Sequence, residues 1–274
     1  ATGGWSSDRR GFLMPFTMAE SGCSPVRGCR HLIAGTYRVW ETVEGGIPSD
    51  SWEPVSPDLT KGVLGQRSVI TDLAFAPTDA QRAVVATLDG NVWLGFGLGQ
   101  PELGPPTWLD VTDGNAVLPN RPILGVAFDG VGRAYASVGG FDANTPEQPG
   151  HVFQLDCADA DCVPLWRDKS GNLPDLPMNT ILVNPKRPTQ VFVGSDQGLY
   201  ITDDIEVDEP VWYRFDAGLP VAMVFDLAVD YGASTLGVFT RSRGAYVWSL
   251  PGGTVFADDF ETGDTRVWSS TIPR

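Results

Sequence analysis

The chain has 274 residues, with 34 Asp and Glu against 19 Lys and Arg, a formal charge of −15. So acidic a surface repels phosphate backbones, which argues against DNA or RNA as a partner, and no run approaches the roughly 18 apolar residues of a membrane span. The 32 Gly and 22 Pro are spread along the whole length; both interrupt helix interiors, so the expected fold class is all-β.

Five units of one design follow one another, at about 8–60, 67–114, 121–171, 177–219 and 221–250. Each opens on an apolar stretch: Phe12–Met18, Val69–Phe75, Ile123–Phe128, Met178–Val183 and Val224–Val229. A turn leads to a second strand: HLIAGT from His31, RAVVATLDG from Arg82, RAYASVGG from Arg133, QVFVGSDQG from Gln190 and STLGVFTRSRG from Ser234. A third strand alternates apolar and polar residues at 38–40, 91–93, 151–153, 198–200 and 245–248, and a fourth brings Trp52, Trp108, Trp166 and Trp212 in four of the units. Short alternating strands between Gly, Pro, Asn and Asp make antiparallel sheet. Four of them recurring at a fixed period predict the four-stranded blades of a β-propeller. The recurring Trp read as wedges between twisted sheets, each burying on the order of 200 Å², rather than as sugar platforms.

The four cysteines form two close pairs, Cys23 with Cys29 and Cys157 with Cys162, each flanking a short polar loop. Local disulfides suit this spacing better than one zinc site of four thiolates, which needs tighter knuckles. Disulfides place the protein in an oxidising compartment, secreted, periplasmic or at the cell surface. The chain begins Ala-Thr-Gly-Gly with neither Met nor a signal-peptide pattern, which reads as a processed or truncated product.

The stretches PFTMAE, RHLIAGTYRVWETVEGG, VITDLAFAPTDAQRAVVATLDGNVW, NLPDLPMNTILVNPKRPTQVFVGSDQGLYITDD and TRSRGAYVW resemble BNR-repeat, sialidase-like propellers. The likeness is greatest to secreted bacterial members similar to sortilin- and xyloglucanase-type propellers. The Asp-box of that superfamily survives as remnants, Thr42-Val-Glu-Gly-Gly46 before Trp52 and Thr202-Asp-Asp204 before Trp212. The resemblance runs from about Asp8 to Leu250 and specifies the fold more than an activity, because the superfamily mixes hydrolases with binding modules. Such propellers commonly have about seven blades. Five units here imply either two N-terminal blades absent or held by a partner chain, or a stand-alone five-bladed ring. Residues 251–274 form a linker and tail too short for a core of its own; they pack on the propeller, pair with a partner chain or serve as an export handle.

Candidate chemistry is sparse. The two histidines, His31 and His151, begin strands in different units, and no Gly-x-Ser-x-Gly occurs, so a Ser-His-Asp triad is not indicated. Sialidase chemistry needs arginines that grip a carboxylate, and the resemblance points to the channel mouth for Asp8, Arg9, Tyr37, Arg38, Arg67, Arg121, Asp226, Arg241 and Arg243. The FRIP-type Arg motif of that family is absent. A glycosidase would need two carboxylates facing one cleft; Asp72, Asp110, Asp113, Asp129, Asp142, Asp226 and Asp230 offer too many choices. Asp156, Asp159 and Asp161 crowd around the second cysteine pair as weak structural-calcium ligands; otherwise no cofactor is expected. Three functions follow. The first is a binding module for a polysaccharide, glycan or protein, without its own catalytic set. The second is a glycoside hydrolase completed by missing blades, and the third a structural subunit of an extracellular assembly.

Overall fold

The computed structural model describes residues 4–23, 28–215, 218–230 and 234–250. Five antiparallel sheets follow one another in chain order. Blade 1 comprises β1 (Phe16–Met18), β2 (Leu32–Gly35), β3 (Val39–Thr42) and β4 (Glu53–Pro54). Blade 2 comprises β5 (Ile70–Ala76), β6 (Asp79–Thr87), β7 (Val92–Phe96) and β8 (Thr107–Asp110). Blade 3 comprises β9 (Ile123–Phe128), β10 (Ala134–Val138), β11 (Val152–Asp156) and β12 (Leu165–Asp168), and blade 4 comprises β13 (Met178–Val183), β14 (Val191–Ser195), β15 (Gly198–Thr202) and β16 (Tyr213–Arg214). Blade 5 shows β17 (Val224–Asp230), β18 (Thr235–Thr240) and β19 (Gly244–Ser249); the 251–274 tail lies outside the described residues. The protein is a β-propeller of five blades, their first strands innermost around a central channel. Among the described residues, the only helical elements between strands are short 3-10 turns.

Alternation with period two gives each strand two apolar sides, and neighbouring blades bury them against each other. Four cores result. Ile33 and Val39 meet Ile70, Leu73 and Val85 between blades 1 and 2; Val84 and Leu94 meet Ile123, Val126 and Phe153 between blades 2 and 3. Tyr135 and Val152 meet Ile181 and Val193 between blades 3 and 4, and Phe192 and Leu199 meet Val224, Leu236 and Val238 between blades 4 and 5. Close approach depends on small residues. A Cβ on Gly35 would lie 2.5 Å from the Ile70 side chain of the next blade, and one on Gly194 would lie 2.5 Å from Val224.

The fourth-strand Trp do work between blades, as expected from their period. Trp108 Nε1 donates to the Val55 carbonyl at 2.7 Å, Trp166 Nε1 to Val111 at 2.6 Å and Trp212 Nε1 to Lys169 at 3.0 Å. In each case the acceptor is the first residue after the fourth strand of the preceding blade. Each large ring thus fills the wedge while its one polar atom is satisfied. Trp52, with no preceding blade described, instead meets Trp5 of the N-terminal segment edge-on at 4.8 Å. Both disulfides are present, Cys23–Cys29 and Cys157–Cys162.

Candidate functional site

Four of the five inner strands, all but β1, share one irregularity that shapes the channel. Pairing with the second strand slips by one residue at Thr71, Leu124, Asn179 and Phe225, so each of these is a bulge. A bulge re-aims side chains and tightens local twist. The residue that follows is Asp72, Gly125, Thr180 or Asp226. Around these strands lies a cavity of about 860 Å³ lined by all five blades, with apolar walls from residues such as Met14, Leu124 and Phe225 and carboxyls from Glu20, Asp72 and Asp226.

Asp72 accepts the Leu73 amide at 2.9 Å and, across the blade junction, the Val126 amide at 2.8 Å. Burial nevertheless pushes its carboxyl up to about 7, outweighing both amides, and the charge of Asp226 adds to the rise. Asp226 is raised for the same first reason, burial, against the Leu227 amide it accepts at 2.8 Å.

At the end where the inner strands begin, four of the sequence candidates form one stack. Arg9 lies 4.4 Å and Arg38 5.3 Å from the Tyr37 ring, and Arg38 is also 4.9 Å from the Trp40 ring. Their charges are matched. Arg9 pairs with Asp58, donates to Thr60 Oγ1 at 2.9 Å and to the Ser68 carbonyl at 2.9 Å. Buried Asp8 accepts from Arg38 at 3.0 and 3.1 Å, from Thr36 Oγ1 at 2.9 Å and from Trp40 Nε1 at 2.9 Å. Burial alone would raise the Asp8 carboxyl, but these donors overcome it and hold it below 3.8.

The other candidates go elsewhere. Arg67 is exposed in the turn before β5, and Arg241 and Arg243 are exposed in the β18–β19 turn; no described hydrogen bond or ion pair joins their side chains to the stack. Asp226 is on the channel wall. Arg121 is buried in a separate cluster that the sequence did not assemble. There His151 Nε2 is 3.1 Å from Asp175 and 3.5 Å from Asp142, and Arg121 is 3.3 Å from Asp142. Asp175 also accepts the Asp142 amide at 2.8 Å, and this bond first, then the imidazole, holds its carboxyl below 3.8. Ligand-type atoms of Asp142, His151 and Asp175 lie within 4.8 Å of one another, but the buried Arg121 guanidinium pairs with Asp142 at 3.3 Å and its charge opposes a cation there. The cluster ties three loops of blades 3 and 4. His31 is likewise engaged, 2.7 Å from Glu41 between blades 1 and 2.

The calcium candidates do not converge. Asp156 pairs with Arg167 of β12 and Asp159 accepts the Asp161 amide at 3.1 Å, and among the described residues the three carboxylates do not gather their oxygens into one ligand group.

No known family's sequence profile matches the chain, and no curated protein matches it. Solved structures do. An ancestral GH74 enzyme aligns over 79% of this chain and 26% of its own, with 16% identity and a TM-score of 0.51. The GH74 enzyme of Niastella koreensis aligns over 85% of this chain and 35% of its own, with 19% identity and a TM-score of 0.52. The Cps50 (Swd1) β-propeller domain of Myceliophteria thermophila aligns over 91% and 70%, with 11% identity and a TM-score of 0.53. What these share with the chain is the fold. The chain spans about a quarter to a third of the two GH74 enzymes' length, and a fold common to enzymes and another propeller domain assigns no activity.

Proposed function

We propose that the protein is a sialidase-like propeller that binds a glycan, most simply a polysaccharide segment, at its channel and channel mouth, without a catalytic set of its own. The observation that supports this reading is the state of Arg9 and Arg38. Arg9 and Arg38 are stacked on Tyr37 and neutralised by Asp58 and Asp8, so they form a rigid aromatic-cationic ledge rather than a free grip for a substrate carboxylate. Such a ledge suits neutral hydroxyl-rich chains, which need flat faces and a few fixed polar groups. The two disulfides fit a secreted or periplasmic setting, and among the described residues no helix is long and apolar enough to cross a membrane.

A second reading, glycoside hydrolysis, draws on Asp72 and Asp226. Two carboxyls raised by burial in one channel are candidates for acid catalysis near neutral pH. One paired experiment separates the two. The chain is titrated with soluble neutral and acidic polysaccharides, and released reducing ends are measured in the same samples. Binding that weakens at least tenfold in Tyr37→Ala, with no sugar released, is expected. Release that disappears in Asp72→Asn would replace the binding reading with the hydrolytic one. The third role, a subunit of an extracellular assembly, requires that removing residues after Pro251 change the size in solution.

A further inference from the structure

We propose that the central channel binds a small organic ammonium ion, its charge shared by Asp72 and Asp226 and its apolar body held against Phe16, Met18 and Phe225. This goes beyond the glycan reading, because Arg9, Tyr37 and Arg38 are not among the residues that line the cavity. At about 860 Å³ the channel has the size of a small-molecule site. Its lining also has one sign of charge. Glu20, Asp72 and Asp226 contribute carboxyls, and among the described residues that line it there is no Lys, Arg or His.

Two of these carboxyls are built alike. Asp72 and Asp226 each follow a bulge in an inner strand and accept the amide of the next residue, Leu73 at 2.9 Å and Leu227 at 2.8 Å. Both are thus fixed on sheet backbone rather than on a loop. A carboxylate can accept about four hydrogen bonds. Asp72 takes one more, from the Val126 amide at 2.8 Å; among the described residues Asp226 takes none besides that of Leu227. No cation of the chain eases either group. Burial raises both carboxyls, and the charge of Asp226 reaches far enough to raise Asp72 further. A ligand cation supplies the opposite charge that the chain itself withholds, and the net charge of −15 draws cations toward the molecule.

The rest of the lining selects the kind of cation. Phe16 is 70%, Met18 46% and Phe225 49% exposed, and all three line the channel, so an apolar body placed there leaves water, and the two phenyl rings attract an ammonium as well. A bare metal ion is a poorer occupant. Among the described residues, the only group of three or more His, Cys, Asp or Glu whose ligand atoms gather is Asp142, His151 and Asp175, none of which lines the channel. The channel carboxyls therefore make no coordination shell of the kind a hard cation needs. A neutral apolar ligand would leave them uncompensated, and an anion would be repelled.

The test is calorimetric titration of the full chain at low salt and about pH 8, where an aliphatic ammonium is still charged and which lies above the value of about 7 for Asp72. The probes are phenethylamine, its neutral isostere 2-phenylethanol, methylamine and calcium. Phenethylamine should bind about tenfold more tightly than the alcohol and also more tightly than methylamine, which lacks the apolar body. Asp226→Asn, which keeps an acceptor for the Leu227 amide, should weaken amine binding about fivefold without lowering the melting temperature. The amide resonances of Leu73 and Leu227 should shift on binding. Equal affinity for amine and alcohol overturns the proposal, and this comparison needs no substitution, so it decides even where a variant fails to fold. Calcium that displaces the amine at equal concentration, undiminished binding in folded Asp226→Asn, or shifts confined to residues outside the channel overturn it too. A chain that binds a polysaccharide but no amine overturns this proposal and leaves the glycan reading standing; one that binds the amine but no polysaccharide does the reverse.

Discussion

Blades 4 and 5 are built from the same repeat and differ in what lies beside them. Every residue of β14 is buried, whereas β18 alternates between Leu236 and Val238 against blade 4 and the exposed side chain of Phe239. Both strands have apolar residues on both sides. What makes the first a core and the second a surface is the presence of a neighbour on each side. Stability in such a stack therefore resides in junctions rather than in blades, as in other repeat architectures.

That contrast predicts a ranking of effects. Phe192→Ala, inside the blade 4–5 core, should cost about 3–5 kcal/mol, while Phe239→Ala on the open face should change stability by no more than about 0.5 kcal/mol, both read from urea unfolding of dilute protein. Equal losses would mean the open face is sealed. Trp166→Phe keeps the ring in its wedge but leaves the Val111 carbonyl without its indole donor; a cost of about 1–3 kcal/mol is expected, and no cost would make the recurring Trp mere filler.

Asp72 gives a smaller, pH-dependent effect. Its carboxyl titrates near 7 in the fold against 3.8 in the open chain, so between these values the folded protein holds a proton that the unfolded chain has lost. The stabilisation is complete below the lower value and is lost as pH rises through about 7. Asp72→Asn should flatten the fall in urea midpoint across that range, and an unchanged slope would show that Asp72 titrates normally. Smallest of all, a calcium chelator should leave the melting temperature unchanged, because among the described residues Asp156, Asp159 and Asp161 do not gather their oxygens into one ligand group.

Much of the fold was legible because it repeats. The order of strands, the Trp period and the two cysteine pairs are local patterns, and the structure realises each of them. The site was legible only in part. Asp8, Arg9, Tyr37 and Arg38 meet because short segments of the first unit deliver them to one end of one blade. Arg121, grouped with them from sequence, is instead buried with Asp142, His151 and Asp175. No spacing announces that cluster, since its members come from three separate loops of blades 3 and 4. The open side of blade 5 left no sequence signature either, because an apolar row reads the same whether or not another sheet covers it.

Amide-resolved hydrogen exchange on dilute protein tests the junction account most directly. Inner strands β5, β9 and β13, each flanked by two blades, should exchange only on global unfolding, while β17 and β1, covered on one side, should open at markedly lower free energy. Uniform protection across all five inner strands would contradict the account, because it would require a fifth core between blades 5 and 1.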